Sequence, residues 1–195
     1  MAPPRRPGFV KCSHEVAPTE SCRKRVKCAL QRRHTLIEKV FANGFTADPR
    51  RLSTSPSFMV YALRDPIGGN LDRIQTIKGW LDSDGKTQEK VYDVVWSGDR
   101  KKGANGKVPP VGNTVDAATA SYTNTVGASE LGTVWSDPDF DPGQRAFYYA
   151  RVIEIPTPRW STFDAFRFGI PIPDGAPVST QERAYTSPIW YTPGK

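Results

Sequence analysis

The chain has 195 residues, and 27 Lys and Arg against 20 Asp and Glu give it a formal net charge of +7 at pH 7. That length is enough for one ordinary domain with a hydrophobic core, and no apolar run approaches the roughly 20 residues that a membrane-spanning helix needs. The 16 Gly and 18 Pro favour a turn-rich β fold over a helical bundle.

The N-terminal quarter differs in composition from the rest. Residues 1–57 carry 12 of the Lys and Arg but only 4 of the Asp and Glu, together with all three Cys and both His. All five Trp and all seven Tyr lie in the remainder. We therefore predict a basic N-terminal arm over 1–56, either poorly ordered or with a short helix near 20–40, and a separate domain over 57–195.

The position of the positive charge bears on partners and location. A basic chain suits an acidic partner such as nucleic acid. Residues 58–195, however, hold 15 Lys and Arg against 16 Asp and Glu, so nucleic-acid binding is not predicted for the domain and would involve only the arm. The first residues, MAPPRRPGFVKCSHEV, have no apolar stretch after their basic residues. No secretory signal is therefore predicted, and the chain as written is expected to stay in the cytoplasm.

Short runs of β-branched and aromatic residues, separated by turn signals, follow the boundary. The predicted strands are 57–65, 71–81, 88–97, 118–126, 144–155 and 183–191, and 127–135 is either a short helix or a strand. The turn at Asp84-Gly85 predicts a hairpin between the second and third strands. Pro188 cannot donate to a ladder, which places the last strand at an edge or a bulge. The pattern predicts a mainly β fold, an antiparallel immunoglobulin- or fibronectin-like β-sandwich.

Two connections are candidates for contact with a ligand or a partner. One is the basic, glycine-rich loop at 98–113, and the other is the proline-broken segment at 156–175. Arg159 and Trp160 lie in the second segment, and we expect Trp160 to be exposed there. The other tryptophans are expected in the core.

The domain lacks two residue types that most enzyme sites use. Residues 58–195 contain no His and no Cys, which excludes a Ser-His-Asp triad, a Cys-His pair and any imidazole or thiolate metal site from this part of the chain. Its acidic residues form no visible constellation. We therefore predict no catalytic residue, no cofactor and no independent enzyme activity for this chain.

Three aspartates alternate in WSDPDFDPGQ: Asp137, Asp139 and Asp141. Alternating carboxylates are typical of calcium loops. In that register, however, the glycine of the sixth position would be Pro142 and the glutamate of the twelfth would be Tyr148, which excludes an EF-hand. Asp before Pro is also a turn former. We interpret the three residues as turn formers and keep them as weak candidates for another cation site.

Three long motifs cover most of the domain. They are SFMVYALRDPIGGNLDRIQTIKGWLDSDGKTQEKVYDVVWSGDR, GNTVDAATASYTNTVGASELGTVWSDPDFDPGQRAFYYARVIEIPTPRW and QERAYTSPIWYTP. From about Ser57 to Pro193 they closely resemble the C-terminal portion of a bacterial family, the domain of unknown function 3604 (DUF3604) family. Members of that family resemble metal-dependent hydrolases of the PHP (polymerase and histidinol phosphatase) type, and many are exported.

This resemblance implies a catalytic barrel encoded upstream, with a divalent metal held by His and Asp residues that begin with a His-x-His motif. No counterpart of that motif occurs in this sequence. We therefore expect a truncated reading frame that carries the non-catalytic C-terminal β region, whose partner would be the upstream catalytic domain of the parent. The alternative is a free-standing β-sandwich module that binds a ligand or a protein.

Overall fold

Eight strands and one helix make up the part of the chain that the structure describes. The computed structural model describes residues 35–43 and 55–193, and for 35–43 it describes the backbone alone. The elements are β1 (Thr35–Asn43), β2 (Ser57–Arg64), β3 (Leu71–Leu81), β4 (Thr87–Trp96), β5 (Glu130–Ser136), β6 (Ala146–Pro158), α1 (Trp160–Phe168), β7 (Ser179–Tyr185) and β8 (Ile189–Tyr191).

The strands form two antiparallel sheets. The first sheet has the order β1-β2-β5, and the second has the order β4-β3-β6-β7, with β8 beside the other half of β6. Buried residues of both sheets pack in the same clusters, so the two sheets face each other in a sandwich-like arrangement. The predicted mainly β, sandwich-like fold is confirmed.

The core lies between the sheets and follows from the alternation of side chains along each strand. Val60 of β2 and Leu131 of β5 pack in one cluster with Ile74 of β3 and Val152 of β6. At the other end of the sandwich, the rings of Phe58 and Tyr148 lie 4.9 Å apart. Burial of this inner face at about 25 cal/mol per Å² supplies the main driving force for closing the sandwich.

The strand β1 lies where the composition predicts a helix and a separate arm. Thr35–Asn43 pairs antiparallel with β2, from Thr35 opposite Arg64 to Asn43 opposite Ser57. The predicted helix near 20–40 is therefore wrong for residues 35–40, and its remaining residues lie outside the described part. The physical reason is tertiary pairing, because an open edge of β2 outweighs a weak helical periodicity. A strand of the first sheet thus lies within the segment 1–56.

Two of the predicted strands differ from the structure. The threonine-rich segment 118–126 forms turns instead of a strand, with one isolated bridge between Asp116 and Ser121. Its side chains bond locally, as in the 2.8 Å bond from Thr119 Oγ1 to Asp116 Oδ2, and this competes with a ladder. The ambiguous segment 127–135 is largely β5.

The last predicted strand, 183–191, is divided into β7 and β8 by the three residues 186–188. Pro188 lies in this break, as its missing N–H requires. Thr186 Oγ1 replaces the ladder there by accepting a 2.9 Å bond from the backbone N–H of Ala150. In the described residues, no helix has the length and apolar character needed to cross a bilayer.

Candidate functional site

The helix α1 joins β6 to β7, in a connection that the sequence predicts as a loop. It begins after Arg159, whose backbone is extended, and it ends at Gly169, which has a φ of 64°. The left-handed conformation at Gly169 is a common way to end a helix. Its first turn is attached to the sandwich because the N–H of Arg159 and the Oγ1 of Thr162 both donate to the carbonyl of Val178, at 3.0 and 2.7 Å.

The polarity of α1 is the reverse of that of an ordinary surface helix. It turns Ser161, Thr162 and Ala165 toward the sandwich. Large apolar side chains are exposed on the helix and directly after it, and we define the aromatic helix face as these five residues: Trp160 (67 % exposed), Phe163 (48 %), Phe166 (59 %), Phe168 (66 %) and, just beyond the helix, Ile170 (54 %). A surface helix normally buries its apolar stripe. Several large exposed apolar side chains on one short segment are typical of an interaction surface.

The two residues predicted as ligand or interface candidates lie together at one end of this face. The Arg159 guanidinium carbon is 5.7 Å from the centre of the Trp160 ring, in cation–π contact. Within the described part of the chain, the Arg159 side chain makes no ion pair. Its planar donors therefore remain available to an acidic or carbonyl group on whatever covers the ring. The exposure of Trp160 agrees with the prediction.

The loop at 98–113 is held in place by a buried ionic network. Arg73 Nη1 donates to the carbonyl of Val108 at 2.7 Å and lies 3.3 Å from Asp93 Oδ2. The same Asp93 oxygen accepts from the N–H of Val108 at 2.9 Å. Arg100 donates to the carbonyl of Pro109 at 2.8 Å. Residues 101–107 beyond these bonds are exposed, so the loop has a fixed base and a solvated, lysine-bearing tip.

The first of the three aspartates is part of a buried ion pair. Asp137 Oδ2 accepts from Lys78 Nζ at 2.7 Å and from the Tyr148 hydroxyl at 2.7 Å. The Lys78 and Asp137 side chains are 3 % and 0 % exposed. Lys78 Nζ also donates to the backbone carbonyl of Asp139 at 2.6 Å. Burial of this pair is tolerable because each charge has several partners.

The other two aspartates have different roles. Asp139 accepts from Lys90 Nζ at 2.5 Å and from the Tyr92 hydroxyl at 2.6 Å, at the half-exposed rim of the same network. Asp141 accepts from the N–H of Gly143 at 2.8 Å, which is an Asx turn of the predicted kind. A cation at this place would have to displace two lysine ammonium groups from the carboxylates.

The electrostatics of this network follow from its geometry. Hydrogen bonds from Lys90 and then Tyr92 lower the pKa of Asp139. Burial raises the pKa of Tyr148, and its bond to Asp137 raises it further. The pKa of Tyr92 is also raised, first by desolvation and then by Asp139. These phenols therefore act as donors that stay protonated.

Across residues 55–193, no group of three or more His, Cys, Asp or Glu is arranged to hold a metal ion. The Asp137–Lys78 pair was missed by the sequence analysis. The sequence did contain a sign of this pair, because Lys78 shares the inward face of β3 with Ile74 and Trp80. The outward aromatic residues of α1 beyond Trp160 were also missed, because the segment reads as a proline-broken loop.

The chain was compared with family profiles, curated proteins and solved structures. The sequence matches the profile of a family described as "protein of unknown function (DUF3604)" over residues 29–193. The match begins before β1 and includes every element of the sandwich. No curated protein and no solved structure matches the chain.

Proposed function

From the premise that the chain belongs to the DUF3604 family, a family of unknown function, we propose that it is a non-catalytic β domain that docks onto the catalytic domain of a PHP-like metallohydrolase. In this proposal the metal and the catalytic residues belong to the partner domain, encoded upstream in a complete parent protein. The β domain supplies a docking surface and one wall of the cleft.

The single observation that carries the proposal is the reversed polarity of α1. The helix buries Ser, Thr and Ala while it exposes a Trp and three Phe, and the Ile that follows it is exposed too, so that no described residue of the chain covers this apolar surface. Trp160 and its neighbours are also the residue types that dominate the energetic centres of protein interfaces.

The surroundings of this face support a protein occupant. Arg159 holds its guanidinium over the Trp160 ring, so that the arginine is ordered before a partner arrives. Arg167 lies in the last turn of the same helix. A partner surface with apolar residues at its centre and carboxylates at its rim would cover the aromatic rings and pair with the two arginines. The loop at 98–113, with its fixed base, is the second candidate for the cleft wall.

The absence of His and Cys from residues 58–195 supports assigning the chemistry to the partner. Two of the three candidate metal ligands, Asp137 and Asp139, are paired with Lys78 and Lys90. The experiment is to assay the purified 195-residue chain with Mn²⁺, Zn²⁺ or Mg²⁺ and chromogenic phosphoesters. We expect no turnover above the metal-only blank. Metal-dependent turnover above the blank would contradict the proposal.

A free-standing binding module is the second candidate function. It is favoured by a group of aromatic side chains outside α1, namely Phe147, Tyr149, Tyr185 and Trp190 on the second sheet, whose rings lie near one another.

A further inference from the structure

A lysine amine and an aspartate carboxyl group meet in the interior of the sandwich. Lys78 Nζ lies 2.7 Å from Asp137 Oδ2, and the two side chains are 3 % and 0 % exposed. The carboxyl carbon of Asp137, Cγ, lies one C–O bond of about 1.2 Å beyond that oxygen, so Nζ is within about 4 Å of Cγ. An amine held this close to a carboxyl carbon has the proximity that a condensation between them needs.

The surroundings of the pair are aromatic. Lys78 Nζ lies 5.4 Å from the centre of the Trp80 ring and 5.9 Å from that of the Tyr148 ring. The ring of Phe58 lies 4.9 Å from the Tyr148 ring. Burial among such groups disfavours the charged forms of an amine and of a carboxyl group. Transfer of one proton from Nζ to Oδ2, which gives a neutral amine and a neutral acid, is therefore easier here than at the surface.

Hydrogen-bond donors surround both carboxyl oxygens of Asp137. Oδ2 accepts from the Tyr148 hydroxyl at 2.7 Å. Oδ1 accepts from the backbone N–H of Asp139 at 2.9 Å, and the Tyr92 hydroxyl lies 3.5 Å from it. Donors in these places stabilise the negative charge that develops on Oδ1 when a nucleophile adds to Cγ. The backbone carbonyl of Asp139 also accepts from Lys78 Nζ at 2.6 Å, which orients the nitrogen.

We propose that Lys78 and Asp137 become joined by an isopeptide bond after the domain has folded. The ion pair is the reactant: Nζ attacks Cγ, the C–N bond forms and the Cγ–Oδ2 bond breaks. Oδ2 leaves as water with two of the three ammonium hydrogens, one of them passed through the Tyr148 hydroxyl. The third hydrogen stays on the amide nitrogen. An ammonium and a carboxylate are thus replaced by one neutral amide and one water molecule, without a co-reactant.

The bond would connect β3 to the segment that leads into β6, between residues 59 positions apart in the sequence. Residues 58–195 contain no Cys, so an internal disulfide is not open to this domain. A covalent link across a loop of this length restricts the unfolded chain and thereby stabilises the fold. The same burial that favours the reaction keeps water from hydrolysing the amide. This inference is independent of the docking role of α1.

A second lysine–aspartate pair in the same network provides an internal comparison. Lys90 Nζ lies 2.5 Å from Asp139 Oδ2, but these side chains are 50 % and 49 % exposed. Water solvates both charges there, so the amine stays protonated and the carboxylate stays ionised. The same two residue types at a similar distance are therefore not expected to condense, because the surroundings differ.

The experiment measures the intact mass of the folded full chain, freshly purified and after several days at neutral pH, followed by a tryptic map of the denatured protein. Lys78→Arg keeps the positive charge, but its guanidinium stays protonated and cannot attack a carboxyl carbon. Lys90→Arg is the matched control. Tyr148→Phe keeps the ring and removes the donor to Oδ2.

We expect the wild type and Lys90→Arg to be lighter than their sequences by the mass of one water molecule, and Lys78→Arg to keep its full mass. The map should show residues 74–86 joined to 108–145, without cleavage after Lys78. Tyr148→Phe should react at least about tenfold more slowly, because its proton relay is missing.

The wild-type mass alone decides the outcome, so the test does not depend on the folding of any variant. Full mass with normal cleavage after Lys78 in the incubated wild type would overturn the inference. Loss of water that maps elsewhere, such as a succinimide at Asp84-Gly85, or that persists in Lys78→Arg, would overturn it as well.

Discussion

Lys78 Nζ and Asp137 Oδ2 lie 2.7 Å apart between the two sheets, and both side chains are almost completely buried. This pair connects β3 to the segment that leads into β6. The alternating aspartates of this segment suggest a cation site from the sequence, and in the structure the cation bonded to Asp137 is the Lys78 ammonium group.

Replacing Lys78 by Met is expected to destabilise the domain strongly. The substitution leaves the Asp137 carboxylate buried without its counter-charge, which costs about 3–5 kcal/mol. The matched control is Lys90→Met, because the pair of Lys90 with Asp139 is half exposed and is worth about 1 kcal/mol or less. Urea unfolding at neutral pH measures both values. Equal losses of unfolding free energy in the two variants would contradict the assignment of Lys78–Asp137 as the stabilising buried ion pair.

The raised pKa values of Tyr92 and Tyr148 predict a loss of stability in alkali. In the unfolded chain these phenols ionise near pH 10, whereas in the folded domain they stay protonated to higher pH. Their contribution is therefore complete below about pH 10 and declines as the pH rises above that value. The urea midpoint should fall between about pH 9 and about pH 11, less steeply in a double Tyr→Phe variant at positions 92 and 148. Identical slopes would show that these phenols are not responsible.

The base of the loop at 98–113 is expected to loosen when Arg73 is replaced by Met. The change removes the bonds to the carbonyls of Val108 and Pro109. Limited trypsin digestion should then cleave several times faster at Lys101 or Lys107 than in an Arg183→Met control, whose side chain is exposed. Mass analysis of the fragments separates local from global opening. Cleavage spread over the whole chain would argue against a loop-specific anchor.

Substitutions on the exposed side and on the buried side of α1 are expected to differ in their effect on stability. A triple change of Trp160, Phe163 and Phe166 to Ser should leave stability within about 0.5 kcal/mol per site, because these rings are largely exposed. It should also lower the binding of a hydrophobic dye. Thr162→Val removes the bond to Val178 and should cost about 1 kcal/mol. A triple variant that unfolds would mean that the rings stabilise the sandwich itself.

Most of the strands were predictable because each is a run rich in β-branched and aromatic residues that ends at a clear turn signal. The run 71–81 coincides with β3, and 57–65 and 88–97 match β2 and β4 to within a residue at each end. The predicted helix was wrong where β1 lies, and the predicted strand at 118–126 was wrong. In both places the periodicity of apolar residues is weak. Pairing with β2 makes 35–43 a strand, whereas 118–126 pairs with no strand of the described part and forms turns.

The candidate site was predictable only in part. Arg159 and Trp160 were identified from their position in a proline-broken segment. The rest of the aromatic helix face was not, because a helix with its apolar side outward cannot be distinguished by periodicity from one with that side inward. The same limit applies to Lys78, whose burial depends on a carboxylate 59 residues further along the chain. The spacing of residues along the chain does not show which face of a helix or strand packs against another part of the protein.

In the proposed function, the aromatic helix face docks onto the catalytic domain of a PHP-like parent. The most direct test is isothermal titration of the full 195-residue chain with a separately produced catalytic domain from a complete DUF3604 protein. We expect saturable association for the wild type and at least about a tenfold loss of affinity in the triple Ser variant at positions 160, 163 and 166. No heat of binding for the wild type, or equal affinity for the wild type and this variant, would contradict the claim.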